Sequence, residues 1–326
     1  MKYTKYIVVG LFLGGCCVIP HTPRTATTSC PQEQPFEGHG ANSIALWPHH
    51  LDLSMVEEHE TEFDIPVVVN QRVEQWIDYY RDEAKLSFST YLRRSRKYIE
   101  PMRDILASHG IPKDLVFLAL IESGFNPFAY SPARAMGPWQ FLAGTARIYG
   151  LRRDAWVDER RDPIKSTEAA ARYLKDLYEI FGDWYLVLAA YNTGQYRVQK
   201  AMREAQSRDF WALDLSSQTE DFVPRFLAAV IMGKDPESYG FSTHAHESFG
   251  HEVVYVDGET DLRTAAACLG YDVEVLRQLN PELRRFITPP HDNKYPLRIP
   301  KGAKDRFFVC QDEMVHNSQA ADQPQG

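Results

Sequence analysis

A glutamate at the end of an apolar helical stripe is the residue best placed to do chemistry in this chain. Leu115, Leu118 and Ala119 stand seven, four and three positions before Glu122, which puts all four on one face of a helix spanning Asp114 to Ser123. A carboxyl continuing such a core-facing stripe loses part of its water, so its charged form is disfavoured and its pKa rises. An acid that keeps its proton near neutral pH can donate it to a glycosidic oxygen. A solvated glutamate in the last helical turn is the competing reading.

Positioning that side chain falls to a run of helices. Val73, Trp76, Ile77 and Tyr80 recur at helical spacing. Tyr91, Tyr98, Met102, Ile105 and Leu106 predict a second helix, closed by His109-Gly110. Pro112 opens the helix of Glu122, and Asn126-Pro127 lies just past its end. Asp162 caps and Pro163 starts a helix running to about Phe181-Gly182. The almost wholly apolar Trp184–Tyr191 predicts a helix buried on all sides and stopped by Gly194, and Val223–Met232 makes a final one. No alternating strand pattern appears between residues 67 and 240, so this domain is mainly α. Beyond Gly240 the pattern changes to short strands at Glu252–Val256 and Leu297–Pro300, with helical stretches at Asp261–Cys268 and Val273–Leu279 between them.

The 326 residues suit one sizeable domain and a small one, and a hydrophobic share of 44% is enough for a buried core. A formal charge of -8 argues against nucleic acid as a partner, because phosphate binding needs clustered Lys and Arg. No apolar run approaches the ~20 residues of a transmembrane helix. Lys2, Lys5 and apolar Ile7–Leu13 lead into Leu13-Gly14-Gly15-Cys16, the pattern of an export signal. That tetrad resembles the lipobox of bacterial lipoproteins, which implies a lipid anchor on Cys16; a plain signal peptide or a buried strand are the alternatives. The expected organisation is a signal segment over 1–16, a flexible linker over 17–64, a catalytic domain over 65–240, a small module over 241–307 and a disordered tail over 308–326. None of the five cysteines has zinc-site spacing, and a Cys268–Cys310 disulfide is possible in an oxidising compartment.

Three segments carry a resemblance to a known family. They are Ala119-Leu120-Ile121-Glu122-Ser123-Gly124-Phe125, the stretch Ser131–Phe141 containing Gly137-Pro138-Trp139-Gln140, and Ala189-Ala190-Tyr191-Asn192-Thr193-Gly194. In this order and separation they resemble the family 1 lytic transglycosylases, the goose-lysozyme-like enzymes that cleave murein. The lead-in from Val67 to Pro112 and the segment Asp209–Leu213, with Thr219 and Val223-Pro224, are similar to one membrane-bound branch of that family. Asp261–Pro300 resembles a degenerate LysM-like module, carried by Leu276, Leu279, Asn280-Pro281 and Leu297–Pro300. A packing appendage that steadies the catalytic domain fits the same residues.

The resemblance implies a lysozyme-like α fold with a small α+β LysM-like appendage, peptidoglycan glycan strands as partner, a periplasmic envelope location, and no cofactor or metal. Glu122 would protonate the oxygen between N-acetylmuramic acid and N-acetylglucosamine, then take the proton of the muramic C6 hydroxyl as a 1,6-anhydro ring closes. Ordinary glycosidases need a second carboxylate, and none stands in the three segments. Asp154, Asp158, Glu159 and Asp162 fall in a polar stretch and are expected on a solvated surface. Tyr191 would bond near Glu122 or a substrate acetamido group, unless it is a core tyrosine. Gln140 and Asn192 offer amides suited to N-acetyl groups, although Gln140 could instead cap a local turn. Ser123 and Ser131 are weaker binding candidates, since a serine at a helix end usually bonds backbone. Gly137 permits a close backbone approach, to sugar or to another helix. Trp139 and Phe141 would line the cleft or belong to the core. A hydrolytic muramidase and a wall-binding lipoprotein remain the alternative functions.

Overall fold

Caps and prolines set the helix boundaries. The computed structural model describes residues 63–242 and 250–310; the expected signal segment with Cys16, the linker up to residue 62 and the tail beyond residue 310 lie outside the described residues. Helix α1 (Gln71–Arg81) begins where the Asn70 side chain accepts from the Val73 amide. The predicted second helix is two, α2 (Lys85–Ser95) and α3 (Ile99–Ser108). Pro101 is the reason: it has no N–H to give Lys97, so it is tolerated only in the first turn of a new helix. A 3₁₀ turn at Lys113–Val116 then feeds α4 (Phe117–Ser123), so the helix predicted from Asp114 is α-helical only from Phe117 onward.

A six-residue helix, α5 (Ala143–Ile148), follows, too short to announce itself by periodicity. Helix α6 (Pro163–Phe181) starts as read, with Asp162 accepting from the amides of Ile164 and Lys165 and Pro163 at the first position. Helix α7 (Trp184–Thr193) is buried from Tyr185 onward and forms the centre of the domain, against α6 and two later helices, α8 (Gln195–Ala205) and α9 (Ser217–Lys234). Gly194, at φ 90°, ends α7 and at once opens α8, which the reading of it as a stop overlooked. Helix α9 starts six residues before Val223; its first turns are polar and Pro224 lies inside it, so the apolar pattern marks only its later part.

The linker boundary shifts by two residues. Asp64 belongs to the domain: its amide donates to Asp114 and its carboxylate accepts from the Lys113 amide, at 2.8 and 2.9 Å.

The C-terminal module is a two-stranded antiparallel sheet, β1 (His251–Val256) and β2 (Tyr295–Pro300), in which Val254 faces Leu297. Between the strands run α10 (Leu262–Leu269) and α11 (Val273–Leu279). Leu262, Ala266, Leu276, Leu297 and Ile299 make its core, into which Val157 of the larger domain is also packed. Residues 304–310 are helical and Cys310 is buried in a disulfide with Cys268, so Phe308, Val309 and Cys310 belong to the module and not to a disordered tail. No helix among the described residues is long and apolar enough to cross a membrane.

Candidate active site

Glu122 stands half-buried in the last turn of α4, whose five apolar residues Phe117–Ile121 are all buried. Loss of water pushes its carboxyl up from 4.5 to about 7, against the pull of the Arg225 guanidinium. Arg225 comes from α9 and donates through Nη2 to the Ile121 carbonyl at 2.7 Å. The rings of Trp76 and Phe222 flank the same cation, with centroids 5.8 and 5.7 Å away. Sequence reasoning missed Arg225, although a cation inside the apolar run Phe222–Met232 was a readable signal.

Directly after Ser123 the chain turns through two left-handed residues, Gly124 at φ 58° and Phe125 at φ 54°. Their amides close on Leu120 and Ala119, satisfying carbonyls at the helix end. Gly124 is obligatory there, since a Cβ would come within 2.0 Å of the Tyr91 ring. The single Ser123 hydroxyl proton is shared between the Pro138 carbonyl at 2.8 Å and the Ala119 carbonyl at 3.1 Å, and its oxygen accepts from the Asn126 amide. It therefore ties the end of α4 to the 131–141 loop.

That loop is folded on itself. Ser131 accepts from the Ala135 amide at 3.0 Å. Gln140, buried and at φ 48°, donates to the carbonyls of Gly137 (2.9 Å) and Ala129 (3.3 Å), so it closes a local turn. Gly137 does allow a close approach, but to protein: a Cβ would fall 1.7 Å from the Arg160 carbonyl. Trp139 and Phe141 are buried core residues.

Tyr191 and Asn192 arrive from α7. The Tyr191 hydroxyl donates to the Trp139 carbonyl at 2.7 Å, and its ring lies 5.3 Å from that of Tyr173. Burial above all, with the charges of Glu122 and Tyr173, holds the phenol well above 10, so it stays a neutral donor. Asn192 accepts from Thr219 on α9 at 3.0 Å. Glu122, Ser123, Tyr191 and the Pro138–Gln140 stretch are thus brought together through adjacent carbonyls, whereas Ser131 and Asn192 bond to other partners.

Two of the acidic residues expected on a solvated surface are buried. Asp158 is 2% and Asp162 0% exposed. The two Asp158 oxygens accept from Nε and Nη2 of Arg160 at 2.8 and 2.7 Å. Asp162 caps α6 and pairs with Arg298 of the module, which also pairs with Glu282 at 3.0 Å. The side chain of Glu159 is 12% exposed and holds Lys165, and only Asp154, at 35%, resembles the expected surface. The neighbouring arginines, invisible as partners in sequence, make such burial tolerable. Among the described residues, no cluster of three or more His, Cys, Asp or Glu could hold a metal ion.

Residues 104–213 match the transglycosylase SLT domain, and residues 251–315 match the LysM-like domain of lytic transglycosylase MltD. The chain is 34% identical over 253 residues to membrane-bound lytic murein transglycosylase D of Escherichia coli strain K12, covering 76% of this chain and 55% of that protein. It is 29% identical over 160 residues to membrane-bound lytic murein transglycosylase C of Haemophilus ducreyi, covering 45% of this chain and 43% of that one. Among solved structures, the 70 kDa soluble lytic transglycosylase of Escherichia coli aligns at 22% identity with a TM-score of 0.39, over 52% of this chain and 29% of that chain. The chain spans about half the length of the curated relatives it matches. It carries a transglycosylase SLT domain that is mainly α. Its second domain is the LysM-like domain of the MltD type.

Proposed function

We propose that this chain is a peptidoglycan lytic transglycosylase that cleaves the β-1,4 bond between N-acetylmuramic acid and N-acetylglucosamine. The observation that carries the reading is Glu122, a carboxyl raised to about 7 in the segment matching the SLT domain. In this reading the protonated Glu122 gives its proton to the glycosidic oxygen as the C1–O bond breaks. The resulting carboxylate then takes the proton of the muramic C6 hydroxyl while that oxygen bonds to C1. The acid is regenerated, a 1,6-anhydro end forms and no water enters. A pKa near 7 suits a group that must serve in both forms. Burial, opposed by Arg225, sets the state of Glu122. The three segments at residues 119–125, 131–141 and 189–194 hold no other carboxylate, and hydrolysis normally uses two.

Ser123, Ser131, Gly137, Gln140, Tyr191 and Asn192 shape the cleft in this reading, mainly by fixing backbone carbonyls and amides that face the sugar. The chain acts in the cell envelope on the periplasmic side, a location supported by the membrane-bound relatives. A lipid anchor at Cys16 and an outer-membrane position complete the proposal. Mass spectrometry of muropeptides released from isolated peptidoglycan tests it. Products lighter by one water with 1,6-anhydromuramic ends are expected, and they vanish in Glu122→Gln. Reducing ends would replace this reading by hydrolysis, and retention on the wall without products by a binding role.

A further inference from the structure

Arg160 is a buried cation, 2% exposed, that none of the proposed chemistry uses. Its guanidinium does two things at once. Nε and Nη2 pair with the two oxygens of Asp158, while Nη1 donates to the carbonyls of Arg134 and Phe141 at 3.1 and 3.0 Å. Those carbonyls lie at the two arms of the loop holding Gly137 and Gln140. The backbone of Arg160 supports the same loop from below, because its carbonyl fills the space where Gly137 lacks a Cβ. Between the arms, the carbonyls of Pro138 and Trp139 accept from Ser123, adjacent to Glu122, and from Tyr191. On the other side, the Asp158 amide donates to the Glu282 carbonyl of the C-terminal module at 2.8 Å, beside a Val157–Leu283 bridge.

We propose that Arg160 is a positioning residue for the Glu122 site, clamping the 131–141 loop, and that the C-terminal module fixes the clamp through Asp158. This rests on the transglycosylase reading of Glu122. The planar fork is what the task requires: one guanidinium can serve a carboxylate and two carbonyls in fixed directions, whereas an ammonium keeps the charge without that geometry. The module thereby bears on the loop beside Glu122 through the Asp158 amide and the Asp158–Arg160 pair.

Anhydromuropeptide release by the unaltered protein is measured first; if it is absent, the transglycosylase reading fails and the clamp has no reaction to position. With that activity present, Arg160→Lys keeps the charge beside Asp158. The expected result is a folded protein, by circular dichroism at 20 °C, whose kcat falls at least ~30-fold while KM for soluble glycan strands moves less than threefold, as small misplacement of reacting groups produces. A folded Arg160→Lys protein with kcat within threefold of the unaltered protein overturns the proposal, since a purely structural residue leaves turnover intact below the unfolding range. A second measurement needs no variant. In amide hydrogen exchange of the unaltered protein, Ala135, Gln140 and Phe141 should open together with Arg161 and Asp162 as one unit. Independent, faster opening of the loop would also overturn the clamp.

Discussion

Replacing Glu122 by glutamine should stabilise the protein, but only above the pH at which the carboxyl of the unfolded chain ionises. Burial holds Glu122 at about 7 against an ordinary 4.5, with the attraction of Arg225 already included. Between these two pH values the unfolded chain has lost the proton and the folded one still binds it. Stability therefore falls as pH rises from about 4.5 to about 7 and levels off above, the total loss being roughly 3 kcal/mol at ~1.4 kcal/mol per tenfold change. Glutamine has nearly the same shape and no charge to desolvate. Below pH 4.5 the two proteins should unfold at nearly the same temperature. At pH 8.5 the variant should gain roughly 6–12 °C, taking ~2–4 °C per kcal/mol for a domain of this size. Calorimetry or fluorescence-monitored melting of both proteins at pH 4 and pH 8.5 provides the comparison. An equal difference at both pH values would refute desolvation as the cause of the raised pKa.

In the proposed mechanism the same group governs turnover. The rate on isolated peptidoglycan should fall on the alkaline side with an apparent pKa near 7, and a rate constant to pH 9 would remove Glu122 as the acid. Gly137→Ala places a Cβ 1.7 Å from the Arg160 carbonyl in a left-handed backbone, so denaturant melts should reveal a loss of roughly 2–4 kcal/mol together with lost activity. Arg298→Ala leaves Asp162 and Glu282 buried without their cation and should cost roughly 3–5 kcal/mol, measured by urea unfolding. Reduction of Cys268–Cys310, which closes a loop of sequence separation 42, should destabilise the module by roughly 2–4 kcal/mol, seen as a lower melting temperature in dithiothreitol.

Much of the fold could be read from local signals because its helices announce their ends locally. Asp162-Pro163 and Gly182 delimit α6 as read, and the apolar Trp184–Tyr191 is buried as a helix at the domain centre. The misses have local causes too. Pro101 divides one expected helix into two, and the single residue Gly194 joins two helices. The site was less legible. The half-buried setting of Glu122 could be read because its stripe is local, but Arg225 comes from 103 positions away in sequence. The same holds for Asp158 and Asp162, whose burial depends on Arg160 and on the distant Arg298. Gln140, Ser123 and Tyr191 look like sugar-binding side chains, yet in the fold their polar atoms bond backbone carbonyls. Residue type indicates what a group can bond, and only the tertiary structure selects the partner.

Val157 completes an oily interior that otherwise belongs to residues 254–307, and the ring of Trp156 lies 4.5 Å from the Arg285 guanidinium. The module is consequently not a cassette. Moved to another protein it would carry a hole where Val157 had been, and its removal would leave Trp156 and Val157 facing water. Recombination at the apparent seam near residue 240 takes Val157 out of the module's interior. New combinations of these two domains therefore have to inherit both sides of that shared interior, or rebuild it.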